Sequence, residues 1–171
     1  IRDVVRFQED LGLSGITDGE FRRTYFHVDF LEQLSGVETK GGIAVRFHTA
    51  QGNVEFALPV MKVTGPVRHV KPIQVADFEF LKARTSAVPK ITIPGPCALH
   101  FRGGDAAVTA HAYRDLDSFW DDIVTAFRQE LEALAAAGCT YVQIDETAFA
   151  KFGDPDVQAA MTKMQSPEFC T

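Results

Sequence analysis

Cysteine is scarce in this chain. Its three cysteines, Cys97, Cys139 and Cys170, are an odd number at wide spacings with no C-x-x-C pair. That excludes a disulfide framework and fits a reducing compartment. Long apolar runs are missing as well: nothing approaches the roughly 20 consecutive apolar residues that a membrane-crossing helix needs. Ile1 to Asp10 mix charge with hydrophobicity and carry no signal-peptide pattern, so the expected location is cytoplasmic, without a membrane. A basic excess is also absent. The net charge of -6 is spread along the chain, which argues against a nucleic-acid partner or an acidic membrane surface and favours a small-molecule ligand. What is present is ordinary: 171 residues, 46% hydrophobic and 23% charged, suffice for one domain with a core.

Periodicity organises the rest. Ile1 to Leu11 reads as an amphipathic helix that Gly12 ends, followed by a short strand at Ser14 to Thr17 and a charged loop, Asp18 to Arg23. Tyr25 to Leu34 is helical or irregular. Ile43, Val45 and Phe47, then Val54, Phe56 and Leu58, alternate about a turn signal at Gly52 and Asn53, which predicts a β-hairpin; Met61 to Val67 is a further extended run paired with it. The antiparallel excursion, about residues 41–67, reads as an insertion. Val75 to Arg84 is helical, and Lys90 to Ile93 is a buried strand that stops at Pro94, Gly95 and Pro96. The longest helix covers about Leu116 to Ala137, with Leu116, Phe119, Trp120, Ile123, Phe127, Leu131 and Leu134 in a stripe and Gly138 as the stop. It leads into a strand at Tyr141 to Asp145 that carries Glu146 at its end, and Asp154 with Pro155 start one more helix over 156–164.

Helices alternate with short apolar strands, the pattern of parallel strands joined through right-handed helical crossovers, so the class is α/β. Three core strands end at Thr17, Ile93 and Asp145, each followed by polar or glycine-rich sequence that would line the ligand-binding carboxyl-end face. Three strands cannot close an eight-stranded barrel, and pattern alone leaves open a small sheet or part of a barrel.

The run Thr17, Asp18, Gly19, Glu20, Phe21, Arg22, Arg23, the run Ile93, Pro94, Gly95, Pro96, and the run Tyr141, Val142, Gln143, Ile144, Asp145, Glu146 lie in the order and spacing of one enzyme family. In these the chain resembles the catalytic domain of cobalamin-independent methionine synthase and its shorter single-barrel relatives. The resemblance implies a single incomplete (β/α)₈ barrel domain, 1–171, holding barrel strands two to four. It further implies zinc-dependent methyl transfer to a thiol, homocysteine to methionine, from a methyltetrahydrofolate-type donor. Glu20 and Asp145 match the carboxylates that hold the amino group of homocysteine, a sound arrangement because each offsets a charge otherwise costly to bury. The family's zinc ligands lie on strands five to eight, and none of those positions exists here. This chain alone is therefore expected to be inactive. The family's folate-stacking tryptophan would fall near Arg102, whereas the single tryptophan, Trp120, lies on a helix stripe. After Asp145 and Glu146 comes Thr147, where methionine synthases usually have proline, a departure that points to the shorter relatives.

Other residues carry weaker expectations. Arg22, His100 and Glu146 sit at strand ends and could touch substrate, although Glu146 must face away from Asp145, which also suits a structural or orienting role. His27 could line the pocket. His48 and His69 make no zinc set with Cys97 or Cys139. Cys139 is expected to be buried at a strand start, and Gly103 with Gly104 form a loop hinge. Two other readings stay open: a metal-free lyase of the uroporphyrinogen decarboxylase type, for which Arg22, Arg23 and Arg102 could meet substrate carboxylates, and a non-catalytic fragment.

Overall fold

The computed structural model describes residues 1–49, 52–101, 108, 112–149, 153–156, 158 and 159. Helix α1 (Arg2–Asp10) places Ile1 and Val5 four residues apart, and that face packs with Ile16, Leu81 and Ala87 in a small second core. Two apolar residues stay outside: Phe7 and, just beyond the helix, Leu11 are 62% and 61% exposed.

Strands β1 (Gly15–Ile16), β4 (Val88–Pro89), β5 (Ile91–Pro94) and β6 (Val142–Asp145) form the parallel part of the molecule, β1 pairing with β4 and β5 with β6. The predicted strand at Lys90 to Ile93 is thus longer and two-sided. The Lys90 N–H donates to the Ile16 carbonyl at 2.8 Å and the next N–H, of Ile91, donates to the Tyr141 carbonyl at 3.1 Å. An extended chain alternates its edges in this way, so one segment, Val88 to Pro94, stands between β1 on one side and β6 on the other. Register puts Ile91 and Ile93 beside Val142 and Ile144 on one face, and Thr92 and Pro94 beside Gln143 and Asp145 on the opposite face. Ile91 and Ile93 belong to the main core, and all four residues of β5 are buried, as expected of a parallel strand covered on both faces.

Between β1 and β4 lie α2 (Val28–Leu31), an antiparallel pair β2 (Ser35–Thr49) and β3 (Gly52–Arg68), and α3 (Val75–Lys82). The antiparallel pairing begins at Ser35 opposite Arg68, beyond the predicted limits at both ends. Met61 to Val67 is not a further strand: it is the second half of β3, with Met61 opposite Thr39 and Val63 opposite Val37. Gly52 and Asn53, read as the turn, are already paired with Thr49 and His48 and belong to β3.

The core gathers Val28, Phe30 and Leu31 of α2, Met61, Val63 and Val67 of β3, Phe78 of α3, the β5 isoleucines and the inner face of α5 (Leu116–Ala136). On α5 the buried residues Phe119, Ile123, Phe127 and Leu134 follow the expected stripe, each contributing about 2 kcal/mol of burial. Asp115 caps α5 by accepting from the Ser118 N–H at 2.8 Å, and Gly138, at φ 91°, ends it. A short helix not foreseen in the sequence, α4 (Ala98–Phe101), follows β5. Cys139 is only partly buried and precedes β6, its thiol donating to the Tyr141 carbonyl at 3.5 Å. Asp154 accepts from the Asp156 N–H at 2.9 Å, and residues 155, 156, 158 and 159 are helical; the remainder of the helix expected to 164, like Arg102, Gly103, Gly104 and Cys170, lies outside the described residues. Among the described residues no helix is long and apolar enough to cross a membrane.

Candidate active site

At the carboxyl end of β1, Gln8 of α1 grips the backbone of Thr17 twice, accepting its N–H at 3.0 Å and donating to its carbonyl at 2.9 Å. The loop then folds on its own side chains. Thr17 Oγ1 accepts from the Gly19 N–H at 3.1 Å, Asp18 Oδ1 from the Glu20 N–H at 2.9 Å, and the Glu20 carbonyl from the Arg23 N–H at 2.9 Å. Glu20 takes φ 57°, the one described residue other than glycine in the left-handed region. That conformation costs about 1 kcal/mol or more and marks a backbone held by its surroundings.

The two arginines of the loop have separate partners. Arg22 bonds Asp18 Oδ2 at 2.9 Å and pairs with Asp77 Oδ1 at 3.2 Å, while its guanidinium lies 4.3 Å from the centre of the Phe80 ring. Burial pushes the Asp77 carboxyl above its ordinary range, with Arg22 acting against the rise and Asp18 adding to it. Arg23 turns inward. Its Nη2 donates to the Thr92 carbonyl at 2.6 Å and to Gln74 Oε1 at 3.2 Å, and its Nη1 stands 3.4 Å from Glu20 Oε2, an ion pair without hydrogen-bond alignment. Lys90 and Thr92 present backbone groups to the same edge, so where β1 ends, the Arg23 guanidinium satisfies the next carbonyl of the ladder.

Asp145 stands opposite Pro94 at the carboxyl end of β6, and its Oδ1 accepts from Gln143 Nε2 at 2.6 Å. Glu20 and Asp145 therefore belong to the same end of the sheet and flank β5 from its two sides. Each has one carboxylate oxygen engaged and, among the described residues, one that accepts no hydrogen bond.

The structure places the other candidates as follows. Glu146 accepts from the Cys97 N–H through Oε2 and from the Ala148 N–H through Oε1, both at 3.1 Å, so its carboxylate ties together the loops after β5 and β6. A Cβ built on Gly95 would lie 2.6 Å from the Glu146 carboxyl carbon and 2.8 Å from its Cα, which is why the Pro-Gly-Pro turn needs glycine there. Burial, with Glu146 nearby, pushes the Cys97 thiol up to about 11. His100 lies in α4 with its ring 5.5 Å from that of Trp120. His27 is buried, its ring 4.7 Å from Phe26.

Sequence reasoning missed Gln74 and Glu130. Glu130 is fully buried and accepts from the Ile73 N–H at 2.8 Å, the Gln74 N–H at 2.7 Å and His69 Nε2 at 2.6 Å. A signal existed: Glu130 falls three residues after Phe127 and four before Leu134, on the apolar stripe itself. Among the described residues no three His, Cys, Asp or Glu side chains converge on a point where a metal ion could be held.

Parallel strands joined through helices define the described residues as α/β, the class in which ligands commonly meet the carboxyl ends of the strands. The catalytic-domain model of cobalamin-independent synthase matches residues 1–165, and the chain belongs to that family. The Bacillus subtilis (strain 168) protein YxjH is 36% identical over 154 residues, covering 89% of this chain and 39% of that protein. A 5-methyltetrahydropteroyltriglutamate–homocysteine methyltransferase of Thermotoga petrophila is 28% identical over 173 residues, covering 99% of this chain and 21% of that enzyme. Among solved structures, a Listeria monocytogenes protein named for vitamin-B12-independent methionine synthase superposes with a TM-score of 0.67 at 35% identity, covering 86% of this chain and 40% of its own. A B12-independent methionine synthase from Shewanella sp. W3-18-1, in complex with selenomethionine, shares the fold at a TM-score of 0.61 and 23% identity, covering 96% of this chain and 48% of its own. The chain thus spans about two fifths of the Bacillus relative and about one fifth of the Thermotoga methyltransferase.

Proposed function

We propose that the complete protein containing this chain transfers a methyl group to a small-molecule thiol, with homocysteine as acceptor, methionine as product and a methyltetrahydrofolate-type donor. In that transfer the acceptor sulfur gains the methyl group and gives up its proton, and the donor nitrogen keeps the electron pair of the broken bond. The family match supports the reaction class, since relatives at 28% identity carry the homocysteine methyltransferase name. The observation that carries the site is the pair Glu20 and Asp145, two carboxylates at the carboxyl ends of β1 and β6 with β5 between them, each retaining an oxygen for an ammonium group. In this reading they hold the amino group of the acceptor. Zinc dependence belongs to the same proposal, its ligands coming from residues outside this chain.

The lyase reading would need arginines aimed at several substrate carboxylates. Arg22 is occupied by Asp18 and Asp77, and Arg23 by Thr92, Gln74 and Glu20, which favours methyl transfer over that alternative. The test is a radiolabelled-methyl assay on the complete protein with methyltetrahydrofolate, its triglutamate form and a panel of thiols. Label appearing in methionine supports the proposal; no label in any thiol, with CO₂ released from a porphyrinogen carboxylate instead, overturns it.

A further inference from the structure

A carboxylate that must receive an ammonium group has to be held still, and a loop glutamate by itself is not: freezing such a side chain costs about 1.5–2 kcal/mol of rotamer entropy. Glu20 nevertheless stands in a left-handed backbone conformation with its carboxylate against Arg23. The Arg23 side chain is 7% exposed, and a guanidinium so buried is costly unless every side of it is matched. Its matches come from fixed elements: the Thr92 carbonyl belongs to β5, buried on both faces, and Gln74, 4% exposed, immediately precedes α3. Gln74 is itself fixed through its backbone, because Glu130 in the middle of α5 accepts both its N–H and that of Ile73. An unbroken chain of polar contacts thus runs from buried Glu130 on helix α5 through Gln74 and Arg23 to the half-buried Glu20 of the loop after β1.

We infer that Arg23 and Gln74, anchored by Glu130, are positioning residues that hold the Glu20 carboxylate for the acceptor's ammonium group. The ligand in this statement rests on the proposed homocysteine reading; the relay itself does not. The geometry suits the task. Arg23 Nη2 makes the two aligned bonds that fix the guanidinium, while Nη1 meets Glu20 at 3.4 Å without alignment, which leaves the carboxylate able to share its charge with a second cation.

The test uses the complete protein with Gln74→Met, which keeps the volume and loses the acceptor, Gln74→Glu, which restores an acceptor, and Arg23→Lys, which keeps the charge and loses the fork. Two readouts are taken. Amide hydrogen exchange at Glu20 and Arg23, whose N–H groups are bonded inside the loop, is expected to quicken at least tenfold in Gln74→Met and Arg23→Lys, with the α5 amides unchanged, and to return close to wild type in Gln74→Glu. The KM for homocysteine is expected to rise at least tenfold in the first two variants while kcat changes less than threefold and the KM for the methyl donor stays constant. Unchanged exchange at Glu20 and Arg23 in both variants overturns the relay. A wild-type protein without homocysteine turnover overturns the functional reading instead, and the exchange measurement then decides the relay by itself.

Discussion

Single residues show where this chain spends stability on its site. Glu20 at φ 57° is the clearest case. Replacing it with glycine, which accepts that conformation, is expected to leave the protein about 1 kcal/mol more stable than the alanine variant, read as a higher urea midpoint, although both lose the carboxylate. Equal midpoints for the two variants would show that the backbone there is not constrained. Cys97 illustrates the opposite economy, a thiol kept inert. Because burial and Glu146 raise it to about 11 from an ordinary 9.0, alkylation by iodoacetamide should follow a midpoint near 11. The sign for stability follows from the same shift. Folded and unfolded thiols are both protonated below 9; above it the unfolded thiol loses its proton first, so the contribution is lost as pH rises from about 9 to about 11. An alkylation midpoint near 9 would mean the thiol is open to water.

At the scale of elements, the helices were legible and their buried polar anchors were not. Leu116 to Leu134 repeats apolar residues at three and four residue steps, and α5 follows that stripe closely because burial of one face decides a long helix. Glu130 on the same stripe reads in sequence as a break in the pattern, since its partners, the N–H groups of Ile73 and Gln74, are backbone groups more than fifty residues away. Glu130→Ala leaves these two buried donors and His69 without their acceptor, an expected loss of about 3 kcal/mol or more that calorimetry would register as a lower Tm. A Tm within a degree of wild type would contradict the anchoring role. The strands were legible in place and less so in extent. Alternation identified β2 and β3, but Ser35 to Lys40 and Met61 to Arg68 pair on backbone register rather than side-chain pattern, so their continuity escaped the sequence. In β4 and β5, the division of one segment between two neighbours depends on partners at β1 and β6 that no local pattern announces. Of the candidate site, the motifs single out Glu20 and Asp145 as proposed ligand groups; Arg23's reach to Thr92, a contact 69 residues apart, has no local signal.

At the scale of the whole molecule, β1 and β6 stand at the two edges of the parallel strands among the described residues, and large apolar side chains stand exposed beside them. Leu13 is 48% exposed near β1, while Ile144 and Tyr141 are 47% and 45% exposed at β6. Open parallel edges with apolar flanks invite pairing. Chain 1–171 produced alone is therefore expected to bind a hydrophobic dye and to self-associate in sedimentation, whereas the complete protein does neither. A monodisperse, dye-silent monomer of 1–171 would contradict that expectation.

The central claim is that Glu20 and Asp145 recognise an ammonium group. Calorimetric titration of the complete protein with homocysteine and with 4-mercaptobutanoate, the same thiol acid without its amino group, tests it most directly. Each charged hydrogen bond is worth about 1.5–3 kcal/mol, so homocysteine should bind at least a hundredfold more tightly, and Asp145→Asn should reduce that ratio at least tenfold. Equal affinity for the two thiols, or a ratio unchanged in Asp145→Asn, would contradict it.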